Sequence, residues 1–162
     1  MLNKLLFLML ISYSIPIIYV YLNYKKNNSI SNILSNKNIN HKIFFFMILM
    51  GFFSILYEIK RKDKISLLMI SILLIGIYGI LKINENNKIH YIYAILIFIS
   101  ILGFMINHCK KQKSNILNIL LFLQIFILET TIIDFRYNIF YNEVFYVLNF
   151  AIYYLYLHFI IQ

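Results

Sequence analysis

Charged residues are scarce in this chain, and that scarcity is the first guide to its class. Only 13% of the 162 residues are charged and 62% are hydrophobic, whereas soluble domains are about a quarter charged and about half apolar. This balance excludes a soluble enzyme and a disordered chain. The single cysteine, Cys109, excludes an intrachain disulfide scaffold and a cysteine-rich metal site. Most of the chain must therefore lie in lipid.

Acidic residues are fewer still, six against fifteen basic ones, which gives a formal charge of +9. Seven of the basic residues form two clusters between apolar runs, which we call the basic knots: Lys60, Arg61, Lys62 and Lys64, and then Lys110, Lys111 and Lys113. Basic residues beside membrane spans contact anionic headgroups and set orientation. No basic face has room to form away from a bilayer, so we expect no nucleic-acid partner.

Six apolar segments follow one another, each close to the ~20 residues that cross ~30 Å of hydrocarbon. We place them at 5–23, 43–59, 65–82, 89–107, 116–134 and 139–161. Backbone groups find no water in lipid, so each segment must be helical, and all are too long and too evenly apolar for β-barrel strands. The sequence predicts an all-α polytopic membrane protein. We expect residues 1–162 to form one antiparallel bundle of six transmembrane helices, with a long polar loop at 24–42.

The first segment has some features of a signal peptide, but its apolar run exceeds the usual length of about 7–15 residues and no small-residue cleavage site follows. We expect it to remain as the first helix. With six spans both termini share a side, and both basic knots lie on that side in short loops near helix ends, where the positive-inside rule counts most. We therefore expect both termini in the cytoplasm.

Four histidines fall at helix ends in two pairs. His41 and His90 begin the second and fourth segments, and His108 and His158 close the fourth and sixth. Two such pairs are typical of the bis-histidine ligation that holds two haems between transmembrane helices. The other interpretation, which we favour, is that the rings lie at the headgroup level, where amphipathic rings are common. We predict no cofactor and no metal.

Carboxylates inside a span are costly and by default indicate a functional site. We expect four residues to meet in a polar pocket at the end opposite the basic knots: His90, Glu129, Asp134 and Glu143. A carboxyl there would pair with the histidine or hold a lipid headgroup. The alternative is that Asp134 caps a helix and the glutamates are interfacial. Glu58, beside the first basic knot, is expected to be an ion-pair partner for it.

Several motifs are missing. The sequence has no His-Glu-x-x-His, no Cys-x-x-Cys and no Gly-rich phosphate loop. Gly76-x-x-Gly79 is too short for the GxxxG packing pattern. Ser71 and Ser100 lie in the middle of spans, where we expect them to bond to the preceding helical turn. We predict no catalytic residue.

Two stretches carry a family resemblance. Ser29, Ser31 and Asn32 stand in the long first loop, and His90 opens the fourth segment after the run Leu74-Ile75-Gly76-Ile77-Tyr78-Gly79. With six helices, these features resemble the family of damage-regulated autophagy modulators (DRAM) and FGF-receptor-activating-type membrane proteins. That family has Ile-Ser-Asp in the first loop, a histidine at this place and a glutamate in the last helix, which here is Glu143. Asn32 replaces the aspartate, and the proline-rich remainder of the loop motif is absent.

The resemblance covers about residues 29–108 and implies an endomembrane or lysosomal protein with cytoplasmic termini, acting in autophagy or lipid homeostasis. Our main hypothesis is a non-catalytic membrane protein that binds a lipid or a membrane protein partner. A second is a lipid-modifying enzyme with His90 and Glu143 as acid and base. A third is a small proton-coupled carrier that uses Glu129 and Glu143.

Overall fold

The structure is a computed structural model, and it describes residues 2–24, 29–35, 40–84, 86–133 and 139–159, with the backbone alone for 35 and 40–42. The regular structure in these ranges is entirely α-helical. The helices are α1 (Leu2–Leu22), α2 (Ile30–Ser35), α3 (Asn40–Arg61), α4 (Lys64–Lys82), α5 (Lys88–Gln112), α6 (Asn115–Ile133) and α7 (Ile139–Phe159). The prediction of an all-α protein is therefore confirmed.

Each predicted apolar segment coincides with one long helix to within about five residues at either end. Among the helices described, five are long and apolar enough to cross a membrane, namely α1, α3, α4, α5 and α6. Their outward faces carry large apolar side chains, such as Phe122 and Ile133 at 73% and 84% exposure. Such faces are stable in hydrocarbon and not in water, so the chain is that of an integral membrane protein.

The sixth predicted span differs from the other five. α7 has 21 residues, and at about 1.5 Å per residue that length is sufficient to cross a bilayer. Its tyrosine, asparagine and glutamate residues make it less apolar, so it is not among the five candidate spans found in the described chain. The segment 24–42 also differs from the predicted loop, because it contains the short helix α2.

Two connections between long helices are only two residues long. Asp63 begins α4 as its N-cap, and its carboxylate accepts the Ser66 N–H at 3.2 Å. Lys113 ends α5 in the left-handed region, with φ 47°, and its N–H bonds to the Cys109 carbonyl at 3.2 Å. Lys62 also has a positive φ of 59°. These tight turns bring the helices on either side into contact.

Two glycines explain why α4 and α5 pack closely. A Cβ at Gly76 would lie 2.9 Å from the Tyr93 carbonyl oxygen, and a Cβ at Gly79 would overlap the Tyr93 ring. Their spacing is shorter than that of GxxxG, as the sequence shows. Positions three apart nevertheless share a helix face, and both glycines lie against α5.

Contacts between helices give their relative directions. Ser66 near the start of α4 bonds to His108 near the end of α5, and Ile83 just after α4 bonds to His90 near the start of α5. α5 and α7 run the same way, because the Tyr146 and Tyr153 hydroxyls of α7 donate to carbonyls of Phe98 and Met105 in that order. We call the end where α5 and α7 begin the cavity end and the opposite end the basic end.

Candidate functional site: a polar cavity between four helices

A small cavity lies at the cavity end. Its volume is about 40 Å³, which is room for about three water-sized groups. α2, α5, α6 and α7 each contribute to its wall. The lining residues are Ser31, His90, Tyr91, Ala94, Phe98, Thr131, Ile139 and Glu143.

His90 is the most deeply buried polar residue of this wall, with 1% of its surface exposed. Asn87 caps the start of α5 and sets its first turn, which places His90 beside the end of α4. Its Nδ1 lies 2.8 Å from the Ile83 carbonyl oxygen. A carbonyl only accepts, so Nδ1 must carry the proton and Nε2 holds a lone pair in the neutral ring. Within the described chain, Nε2 is buried and has no hydrogen-bond partner.

Glu143, near the start of α7, is bonded to the first residue of α2. Its Oε2 accepts the backbone N–H of Ile30 at 2.6 Å, across 113 residues of sequence. Ile30 is the first residue of α2, and a carboxylate at a helix N-terminus satisfies an N–H group without an intrahelical partner. Glu143 therefore fixes α2 over the cavity end in addition to lining the cavity.

The loop motif of the sequence analysis forms the start of α2. The Ser29 hydroxyl oxygen accepts the Asn32 N–H at 2.9 Å, as an N-cap does, and lies 3.0 Å from the Ser31 hydroxyl. Ser31 lines the cavity and Asn32 is exposed. These contacts give the motif a structural role and bring one of its residues to the cavity.

The structure brings two of the four predicted pocket residues to one cavity, His90 and Glu143. Glu129 is exposed on α6 and does not line the cavity, and Asp134 lies outside the described residues. On α6, Thr131 lines the cavity instead of Glu129. The two positions are two residues apart in sequence, so their side chains point in directions about 200° apart around the helix axis. The Thr131 hydroxyl donates to the Ile127 carbonyl at 2.7 Å. Nothing in the sequence distinguishes Thr131, because the few polar residues of α6 are scattered among apolar ones.

Two carboxylates, one buried and one partly buried, hold the basic end together. Glu58 is fully buried and accepts from the Arg61 guanidinium at 3.0 Å and the Tyr154 hydroxyl at 2.7 Å, so the expected ion pair is confirmed. Asp63 accepts the Lys111 ammonium at 2.7 Å, which joins the two basic knots. Six of their residues are exposed, namely Lys60, Lys62, Lys64, Lys110, Lys111 and Lys113.

Asp63 lies in the turn between α3 and α4, and its surroundings lower the pKa of its carboxyl. Burial would raise the pKa of this carboxyl, but the hydrogen bond and charge of Lys111 and the N–H of Ser66 outweigh burial and hold the pKa at about 2. The carboxylate therefore stays ionised throughout the physiological range.

The histidines at the basic end belong to the packed interior. His108 Nε2 lies 2.7 Å from the Ser66 hydroxyl, and the His158 ring packs against Tyr57 and Tyr154 with centroids 4.9 and 4.2 Å away. The side chain of His41 lies outside the described residues. In the part of the chain that the structure describes, no three histidine, cysteine or acidic side chains cluster as metal ligands do.

α7 carries a ladder of inward polar groups that join it to α5 and α6. The Asn149 amide donates to the Leu120 carbonyl and to the Gln124 side-chain oxygen, and Gln124 donates to the Tyr146 carbonyl. The expectation for Ser71 and Ser100 is confirmed, since each donates to a carbonyl in its own preceding turn.

Comparisons with known proteins add no relative to these observations. The chain matches no model of a protein family, no curated protein and no solved structure.

Proposed function

We propose that the protein is a six-span membrane protein that holds the polar headgroup of a lipid in the cavity between α2, α5, α6 and α7. α7 is the sixth span in this proposal. Its polar side chains bond to carbonyls and side chains of α5 and α6, which removes the cost of placing them in hydrocarbon.

One observation carries the proposal of a headgroup site. His90 lines the cavity with Nε2 buried and unpaired within the described chain, although a buried polar atom without a partner costs about 1–3 kcal/mol. Glu143 lines the same cavity. A polar group that enters from the lipid surface and bonds to Nε2 would recover that cost.

The proposed orientation places the basic end in the cytoplasm. Both basic knots lie there, joined by the Lys111–Asp63 pair, and short loops rich in lysine and arginine face the cytoplasm in most membrane proteins. The resemblance to the DRAM family supports the same topology, an endomembrane location and a role in autophagy or lipid homeostasis. Membrane lipids, and a membrane protein partner, are the proposed partners.

A lipid-modifying enzyme is the second candidate, because an imidazole and a carboxylate in one cavity are the groups that general acid–base catalysis uses. It predicts that replacing either His90 or Glu143 abolishes turnover of a lipid while the protein still inserts normally. The carrier hypothesis has less support, since Glu129 is exposed on α6 away from the cavity.

The test of the proposal is native mass spectrometry of the protein purified in mild detergent. We expect a stoichiometric lipid on the wild type and on Glu129→Ala, and none on the double variant His90→Ala, Glu143→Ala. A wild type that retains no lipid, or a double variant that retains as much as the wild type, would contradict the proposal. Because Glu143→Ala also removes the acceptor of the Ile30 N–H, His90→Ala alone is measured beside it.

A further inference from the structure

We infer that the basic end binds a membrane phospholipid whose headgroup carries several phosphate charges, such as a phosphorylated phosphatidylinositol. This surface lies at the opposite end of the bundle from the cavity, so the inference goes beyond the proposed function. It follows from the way the two basic knots are joined, from the charge that their acids leave uncompensated and from the apolar side chains beside them.

The two basic knots form one surface, although they are separated in sequence. The Lys111 ammonium lies 2.7 Å from an Asp63 carboxylate oxygen, a pair that spans 48 residues. A second bond joins the same helices, between the Ser66 hydroxyl and His108 Nε2 at 2.7 Å. Both knots surround turns of two residues between long helices, so the packed helices fix the backbone positions of the lysines. A surface that is organised before it binds loses less free energy in ordering.

Most of the charge of this surface is uncompensated. The knots contain seven basic residues, and the two acids among and beside them leave a formal charge of +5. Glu58 is paired with Arg61, and Asp63 with Lys111. Within the described chain the other five lysines are exposed and form no salt bridge, namely Lys60, Lys62, Lys64, Lys110 and Lys113. A headgroup with several negative charges can therefore contact several ammonium groups at once.

The lysines lie beside hydrocarbon, which favours a lipid over a soluble anion. Each exposed lysine of the knots is within two residues of a helix end, or about 3 Å of helix rise. Ile59 and Ile65, next to Lys60 and Lys64 in sequence, are 52% and 48% exposed. A phospholipid can place its acyl chains against such isoleucines while its headgroup contacts the ammonium groups. A soluble phosphate gains only the second of these contacts.

The residue types predict how the headgroup is recognised. Lysine binds phosphate as a point charge, whereas arginine can bind it through two parallel N–H groups. Arg61, the arginine of the knots, donates to the buried Glu58 at 3.0 Å, and the exposed residues of the knots are all lysines. Affinity should therefore follow the number of phosphate charges and not their positions on the inositol ring. Phosphatidylserine and unphosphorylated phosphatidylinositol should bind weakly.

The experiment compares lipids that have the same acyl chains and differ in headgroup charge. Delipidated protein in detergent is titrated with phosphatidylserine, phosphatidylinositol, its monophosphates and a bisphosphate, and bound lipid is counted by native mass spectrometry. We expect affinity to rise at least about tenfold from phosphatidylinositol to the bisphosphate. The monophosphates should agree with one another within about threefold, because point charges do not read position.

Three double variants each remove two exposed lysines, from the first knot, the second knot and the cavity end: Lys60→Gln with Lys64→Gln, Lys110→Gln with Lys113→Gln, and Lys82→Gln with Lys88→Gln. The variants of the knots should bind the bisphosphate at least about tenfold more weakly than the wild type, since a lysine near an anionic surface contributes about fivefold. The cavity-end variant has the same net charge as the other two and should bind like the wild type. Melting temperatures near that of the wild type show that the variants are folded.

Four results would overturn the inference. Equal affinity for phosphatidylinositol and its bisphosphate would mean that the knots do not select a highly charged headgroup. A preference of about tenfold for one monophosphate would contradict recognition by charge. Loss of binding in only one knot's variant, or an equal loss in the cavity-end variant, would show that the two knots do not act as one surface. Full competition by soluble inositol trisphosphate at the same concentration would assign the surface to a soluble anion.

Discussion

At the basic end, Asp63 serves several partners with one carboxylate. One oxygen caps α4 through the Ser66 N–H, and the other accepts from Lys111 and lies 3.9 Å from His108 Nε2. The acid therefore ties the turn between α3 and α4 to the last turn of α5. A salt bridge on an exposed surface would contribute little to stability, but the side chain of Asp63 is only 11% exposed.

The free energy of unfolding should depend on pH through Asp63. The pKa of Asp63 is about 2 in the folded protein and about 3.9 in an unfolded chain, so ionisation favours folding by less than about 3 kcal/mol, since Lys111 is 45% exposed and water screens the pair. Because the folded pKa is the lower one, this contribution is complete above pH ~4 and is lost as the pH falls towards ~2. Thermal unfolding in detergent between these pH values should show the loss.

The control is Asp63→Asn, which keeps an N-cap oxygen and removes the charge. The variant should be less stable than the wild type at neutral pH and should lose less stability between pH ~4 and ~2. Equal losses in both proteins would show that the Lys111–Asp63 pair makes no contribution.

Only some residues of the candidate site could be located from the sequence alone. His90 and Glu143 lie near the starts of helices at one end, and a topology of alternating spans brings such positions together. The inward position of Thr131 and the outward position of Glu129 could not be predicted, because apolar residues occupy both faces of α6 and give the sequence no clear inward stripe. The bond between Tyr154 and Glu58 joins residues 96 apart, a pairing that no local pattern indicates.

At the scale of the helices, the positions of the long helices could be predicted because a single physical requirement determines them. A backbone in lipid must form a helix of sufficient length, so the long helices lie where the apolar runs are, and the largest difference is the end of α5 at Gln112 instead of 107. α2 was missed because it lies in a polar segment and has only six residues. Most buried residues of α7 are polar or aromatic. That these side chains point inward could not be predicted without knowing which helices pack against α7.

Because α4 and α5 pack closely at Gly79, adding one methyl group there should destabilise the protein. Gly79→Ala would place Cβ on the Tyr93 ring, and overpacking of this kind costs about 1–3 kcal/mol. Gly51→Ala is the matched control, because its Cβ would meet only the end of the Leu74 side chain, at 3.1 Å. Melting temperatures in detergent should fall clearly for Gly79→Ala and little for Gly51→Ala; the reverse order would mean that α4 and α5 are not in this close contact.

For the whole molecule, the two ends have different chemistry. The basic end combines exposed lysines with the buried Glu58 and the partly buried Asp63, and the cavity end holds a small polar cavity between four helices. The apolar outer faces between them match hydrocarbon. This division supports a protein whose basic end fixes its orientation in the membrane and whose cavity end binds a ligand from the membrane.

The most direct test of this account locates the headgroup on the protein. A phospholipid with a photoreactive group on its headgroup is incorporated into vesicles with the protein, and the labelled peptides are identified by mass spectrometry. The account predicts labels on the peptides that contain His90 and Glu143, and their loss when the same phospholipid without the photoreactive group is added in excess. Labels confined to the outward apolar faces, such as that of Phe122, with none at His90 or Glu143, would contradict it.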